Sequence, residues 1–224
     1  MLIRLRGRAQ TCSGRIAGCH LVGLILATIC CSPILPAIAE EAVAVRVEED
    51  WVLDIGTPDP NSTAPQVIST FSPKSHLDGW RAAFELNHQS QPFFTPGGLQ
   101  LHLWNGDEPI DFRKIPQTQT LSLAGEQVSW TQAMSVAHGE LTVEIINGTS
   151  SCWGAFGGQG YLKMSVSTNL TNLNNYDPAI SVQHSGVGYA ANRVDSLVLK
   201  QVRVVFADGQ IAVDDQIRIV CQNN

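Results

Sequence analysis

Between Glu126 and Gly148 apolar and polar residues alternate through two long runs. Val128, Trp130, Gln132, Met134 and Val136 share one parity, and Gln127, Ser129, Thr131, Ala133 and Ser135 share the other. Leu141, Val143 and Ile145 then alternate with Thr142 and Glu144. Strand side chains point to opposite faces with a period of two, so the pattern predicts two half-buried antiparallel strands and no helix. His138-Gly139 predicts a tight turn between them. Asn147-Gly148 predicts a second, because Asn and Gly tolerate the positive φ that such turns need.

The same period recurs along the chain. Residues 43–55 predict a first strand with Trp51 and Leu53 on one face, and residues 66–71 a short second one. Prolines and Asn/Asp/Ser between them, at 57–65, predict a loop. In residues 80–88, Trp80, Ala82, Phe84 and Leu86 oppose Arg81, Glu85 and Asn87. Residues 89–96 form a turn-rich link. After Gly97-Gly98, Leu99, Leu101 and Leu103 face one way and Gln100, His102 and Trp104 the other. Residues 105–109 close that strand, and 110–125 carry little pattern. Glycines at 154, 157, 158 and 160 suit a sharp change of direction. A strand is predicted at 161–168, with Tyr161, Lys163 and Ser165 outward. A loop or short helical turn follows at 169–178. Residues 180–194 read as extended and bulged, 196–206 as the strongest strand, and 212–221 as a final one after Asp208-Gly209. Many short alternating strands without crossover helices predict an all-β antiparallel sandwich.

The first 39 of the 224 residues differ from the rest. Arg4, Arg6, Arg8 and Arg15 precede a short apolar run from Leu21, which is followed by Pro33, Pro36 and Ala37-Ile38-Ala39. A basic start, apolar centre and A-x-A end are the parts of a secretory signal peptide. The alternatives are a membrane anchor, for which the run falls short of ~20 residues, and a lipoprotein, which needs a small residue where Ile29 precedes Cys30. The expected organisation is a leader, 1–39, and one domain, 40–224, exported to a secreted, periplasmic or cell-surface location and not membrane-spanning once processed.

Loss of the leader removes four of fourteen basic residues and none of the twenty acidic ones, leaving a formal charge of −10. Such a chain has no electrostatic reason to seek nucleic acid. Only 15% of residues are charged, against roughly 25% in an average soluble domain. Of six cysteines, Cys152 and Cys221 remain. In an oxidising compartment they predict a Cys152–Cys221 disulfide, which would contribute ~4 kcal/mol on the chain-entropy model; two free, buried thiols are the alternative.

A tryptophan strand, a turn and then Gly139-Glu-Leu-Thr-Val-Glu-Ile-Ile-Asn-Gly148 resemble the central hairpin of concanavalin A-like (laminin G-like) jelly-roll domains. Val194-Asp-Ser-Leu-Val-Leu-Lys-Gln-Val-Arg-Val205 is similar to their closing strand. The resemblance implies a jelly roll and, with it, lectins, carbohydrate-binding modules, polysaccharide hydrolases and lyases, or adhesion modules; fold does not choose among these. Gln100-Leu-His102 and Tyr161-Leu-Lys163 are also similar to strands of jelly-roll alginate lyases. That similarity implies His102 and Tyr161 as proton carriers, with Gln100 and Arg81 neutralising a substrate carboxylate. Met164-Ser-Val-Ser departs from the family pattern, which has a glycine and a second tyrosine there, and the charge of −10 opposes a polyuronate.

The residues themselves favour binding. Retaining or inverting glycosidases need two carboxylates about 5–9 Å apart, whereas Glu140 and Glu144 on one strand face stand ~13 Å apart. An outward Trp104 beside Gln100, His102 and Asn87 can stack on a sugar ring and hydrogen-bond its hydroxyls; Tyr161 and Lys163 are outward by the same parity. Trp51, Trp80, Trp130 and Trp153 are assigned to the core. No cofactor is expected: Asp107, Glu108, Asp208, Asp214 and Asp215 lie in turns of the kind that hold Ca²⁺ in jelly rolls, but no spacing matches a calcium loop. Asn61, Asn147 and Asn169 begin N-x-S/T sequons. The expectation is a non-catalytic module binding a glycan or another extracellular surface, with a lyase acting on an acidic glycan and a structural module without a small ligand as the alternatives.

Overall fold

A computed structural model describes residues 42–57, 66–88, 97–188 and 193–222. Chain contacts divide the protein into Met1–Ala39 and Glu40–Asn224, and every described residue belongs to the second unit. The expected leader, the loop at 58–65 with its Asn61 sequon, and the link at 89–96 lie outside the described residues.

Along the chain come β1 (Ala44–Ile55), β2 (Gln66–Phe71), β3 (Trp80–Asn87), β4 (Gly98–Asn105), β5 (Glu108–Ile115), β6 (Gln127–Ala137), β7 (Glu140–Ser150), β8 (Gly154–Phe156), β9 (Lys163–Ser167), α1 (Pro178–His184), β10 (Gly186–Gly188), β11 (Val194–Phe206), β12 (Ile211–Asp214) and β13 (Arg218–Gln222). They form two antiparallel sheets. The eight-stranded sheet runs β12-β11-β1-β6-β7-β8, with β13 sharing the outer edge of β11 and β9 that of β7; the five-stranded sheet runs β10-β2-β3-β4-β5. This is the expected all-β antiparallel sandwich.

The inward parities are those of the sequence. Trp51 and Trp130 lie opposite each other on β1 and β6 with parallel rings, centroids 6.2 Å apart. Phe84 of the other sheet meets Trp130 edge-on at 5.6 Å and stacks on Phe156 at 6.0 Å. Burying each such side chain contributes about 1.5–3 kcal/mol, and this layer holds the sheets together.

A polar hub crosses the same core. Glu49, fully buried on β1, accepts hydrogen bonds from Trp51 Nε1 (2.9 Å), Gln132 Nε2 (2.7 Å), the Tyr176 hydroxyl (2.6 Å) and Ser181 Oγ (2.5 Å). Ser69 on β2 donates in turn to Gln132 Oε1 at 2.7 Å. A buried carboxylate is tolerated only when hydrogen-bonded in this way, and the hub fixes α1 against both sheets.

Several expectations are corrected. Asn147-Gly148 is no turn: β7 continues through it, bulging opposite Thr131/Gln132. Gly148 is required because a Cβ there would overlap the Phe156 ring. His138-Gly139 does turn, with φ of 52° and 76°. Residues 180–194 are not one extended run. Asp177 accepts from the Ala179 N–H at 2.9 Å and Pro178 fills the first turn, which starts α1. The final strand is two, β12 and β13, separated at 215–217.

The disulfide expectation also fails. Cys152 and Cys221 are free thiols, the first exposed and the second half-buried. Cys221 pairs with Leu197 on β11, Leu197 with Leu53, Leu53 with Val128, and Val128 with Ser150. Cys152 lies two residues beyond Ser150, so four strand spacings of about 4.8 Å, about 19 Å, separate the two cysteines. A disulfide needs Cα atoms within about 7 Å.

Candidate functional site

The two outer faces differ in what their side chains leave free. On the eight-stranded sheet, charges neutralise one another. Arg46 pairs with Glu48 (2.7 Å) and Glu144 (3.4 Å), Arg203 with Glu48 (2.9 Å) and Asp50 (2.6 Å), and Lys163 with Glu144 (3.3 Å). Burial alone would raise the Glu48 carboxyl, but hydrogen bonds from Arg46 and Arg203 outweigh it and hold the group below its usual range. This face is a closed ionic lattice.

The outer face of the five-stranded sheet carries aromatic rings instead. Register sets Arg81 of β3 opposite Trp104 of β4, and His102 of β4 opposite Phe112 of β5. The Arg81 guanidinium lies 5.3 Å from the Trp104 ring centre and donates to the Leu77 carbonyl at 3.2 Å. Trp104 stacks on His102 at 6.1 Å, and His102 on Phe112 at 6.0 Å. The strip Arg81–Trp104–His102–Phe112 thus crosses three strands, ending at Phe112, which is 58% exposed. An open depression lined by Leu77, Asp78, Arg81, Gly106 and Asp107 continues it at the Arg81 end. Gly98 allows β4 to start here: its φ is +129°, and a Cβ would strike the Ile115 carbonyl.

Beside the strip lie Glu85, Gln100 and Asn87. Glu85 is opposite Gln100 on β4 and Ile68 on β2. Its carboxyl is 14% exposed, and its Oε1 is 3.9 Å from His102 Nε2. The Gln100 amide nitrogen closely contacts His102 Nε2. With that amide donating, the imidazole proton sits on Nδ1 and Nε2 has none to give Glu85. Burial lowers the His102 pKa, so the ring is neutral at pH 7, and burial raises that of Glu85. The Asn87 amide offsets part of the Glu85 shift without completing a hydrogen bond, and Gln100 Oε1 is also buried and unpartnered. Among the described residues no Arg or Lys forms an ion pair with this carboxyl, which stands beside stacked rings.

Of the residues selected from sequence, Asn87, Gln100, His102 and Trp104 share this face, and Arg81 joins them. Tyr161 and Lys163 do not. Lys163 stands on the outer face of the other sheet, bound to Glu144, and Tyr161 packs against the core on the approach to β9. Parity is relative to a strand's own sheet, and the sequence does not say which sheet a strand joins. Glu85 and Phe112 were not selected. Glu85 shares the outward parity of Arg81 and Asn87, a usable signal. Phe112 lies on an edge strand exposed on both faces, which leaves no alternation to read. Among the described residues, no three His, Cys, Asp or Glu side chains are grouped to hold a metal ion; Asp214 pairs with Arg218 at 2.6 Å and Asp208 accepts from the Gln210 N–H.

No protein-family profile and no curated protein matches the chain. Among solved structures it is similar to sheep galectin-11 in complex with glycerol, with 11% identity over 78% of this chain and 95% of that one, at a TM-score of 0.34.

Proposed function

We propose that this is an exported carbohydrate-binding module, a jelly roll of the concanavalin A-like type that holds a glycan on the outer face of its five-stranded sheet without altering it chemically. The observation that carries the reading is the strip Arg81–Trp104–His102–Phe112 with Glu85 and Gln100 alongside. Half-exposed rings supply the apolar platform that sugar C–H faces pack on, and neighbouring polar groups fix the hydroxyls. The opposite face supports the choice by default, since its Arg46, Arg203 and Lys163 are already paired. A leader at 1–39 is consistent with an extracellular glycan partner.

The lyase reading draws less support. It requires His102 and Tyr161 to flank one substrate bond, and Tyr161 packs against the core on the approach to β9, which joins the other sheet. The experiment is a binding screen of mature protein, residues 40–224, against neutral and acidic glycans, with absorbance monitored for unsaturated product. Binding without product supports the module; product from a polyuronate overturns it.

A further inference from the structure

We propose that Glu85 is the specificity-determining residue of this face: its carboxylate accepts hydrogen bonds from two adjacent hydroxyls of one neutral sugar ring, so the face selects glycans with a free vicinal diol and releases them in acid. The inference rests on the carbohydrate-binding reading and narrows its ligand class.

Glu85 and Gln100 face each other across β3 and β4, and the carboxylate oxygens and Gln100 Oε1 are all acceptors. Gln100 Oε1 is fully buried, out of a ligand's reach, and His102 Nε2 is engaged by the Gln100 amide, which leaves the Glu85 carboxyl as the acceptor open to a ligand. A ligand here must therefore donate. A cationic donor is disfavoured because Arg81 and Lys114 already occupy the face; Lys114 is opposite Gln100, and the Arg81 guanidinium covers Trp104. An anionic ligand would meet Glu85 in a partly desolvated setting, where like charges repel strongly. Neutral hydroxyl groups satisfy all three conditions. A carboxylate presents two oxygens and can accept two donors side by side, which matches adjacent hydroxyls on a ring lying along the aromatic strip.

The acid release follows from the surroundings of Glu85. On β3 its charged neighbour is Arg81 and on β5 Lys114; β4 presents His102, titratable but neutral at pH 7, and β2 presents Gln66, Ile68 and Thr70, none of which titrates. Burial raises the Glu85 pKa. A glycan that requires the carboxylate is held above that raised value and lost as pH falls through it. Burial also lowers the His102 pKa below the ordinary histidine value.

The test uses residues 40–224 as wild type, Glu85→Gln and Trp104→Ala. Gluco-, galacto- and manno-oligosaccharides are screened, and the tightest is titrated from pH 8 to 4 together with its singly deoxygenated analogues. The expected result is that wild type weakens on acidification, starting above the ordinary glutamate range, and discriminates against loss of either of two adjacent hydroxyls. Glu85→Gln should bind about tenfold or more weakly at pH 7, as a charge-assisted bond becomes neutral, with a flatter pH profile. Wild-type affinity that does not change from pH 8 to 4 overturns the proposal without any variant. If Glu85→Gln keeps wild-type affinity and pH profile while Trp104→Ala loses binding, Glu85 has no such role and the carbohydrate-binding reading survives. If wild type binds only acidic glycans, the inference alone fails; if it binds no glycan, both fail.

Discussion

The Tyr176 hydroxyl donates a 2.6 Å hydrogen bond to the buried carboxylate of Glu49, tying the segment before α1 to β1. Burial, followed by the adjacent Glu49 charge, pushes the Tyr176 phenol well above its ordinary pKa, so it stays a donor throughout the physiological range. Tyr176→Phe removes one of the donors to Glu49 and keeps the ring. A hydrogen bond to a charged group contributes about 1.5–3 kcal/mol, so Tm should fall by roughly 3–12 °C for a domain of this size. Calorimetry of the variant checks this; a Tm within a degree of wild type would remove the hub from the account.

The buried carboxyls set the direction of the pH dependence. Burial raises Glu49, Glu85 and Glu126. A carboxyl raised in the folded state binds its proton more tightly there than when unfolded. Its stabilising contribution is fully present below the unfolded value and is lost as pH rises through the folded one. Glu48 and Asp214 act oppositely, because bonds from Arg46 and Arg203 and from Arg218 outweigh burial and lower them. Tm should therefore climb as pH falls from 8 toward the ordinary glutamate value and decline below it. Relief of the net negative charge has the same sign, but salt screens it. The climb should persist in 0.5 M salt, about the ionic strength that suppresses long-range repulsion; a flat profile there would contradict the assignment.

Gly148 is a packing requirement. Its missing Cβ leaves room for Phe156, whose ring lies 5.1 Å from Trp153 and 6.0 Å from Phe84. Gly148→Ala should cost about 1–3 kcal/mol through overpacking, measured by urea denaturation. An unchanged midpoint would show that the ring gives way freely.

Cys152 and Cys221 should both react as free thiols in the native protein. Cys152 is exposed and should react with a thiol reagent rapidly, whereas burial raises the Cys221 thiol and should slow it. Reductant should leave Tm unchanged. Mass spectrometry showing a Cys152–Cys221 linkage would contradict the register that sets them four strands apart.

Where burial was one-sided, the strands could be read from the chain. β2, β3, β6 and β11 fall within a residue or two of expectation, and even Gln132, a buried polar side chain, has its predicted parity. β5 escaped because an edge strand exposed on both faces has no alternation. α1 escaped because in seven residues only Ser181 is buried, too short a pattern for a helical period to show. The site was half legible for a related reason. Gln100, His102 and Trp104 share one strand, so parity grouped them. Lys163 has the same parity on a strand of the other sheet, and only strand pairing separates it from them.

The most direct measurement is a titration of wild type, Trp104→Ala and Lys163→Ala against the tightest-binding glycan of the screen. Trp104 is at the centre of the aromatic strip, and Lys163 belongs to the ionic lattice of the opposite face. Loss of the indole should weaken binding about tenfold to a hundredfold, the range for truncating an aromatic anchor, while Lys163→Ala binds as wild type. Equal binding by Trp104→Ala, or loss of binding in Lys163→Ala alone, would contradict the assignment of the site to the five-stranded sheet.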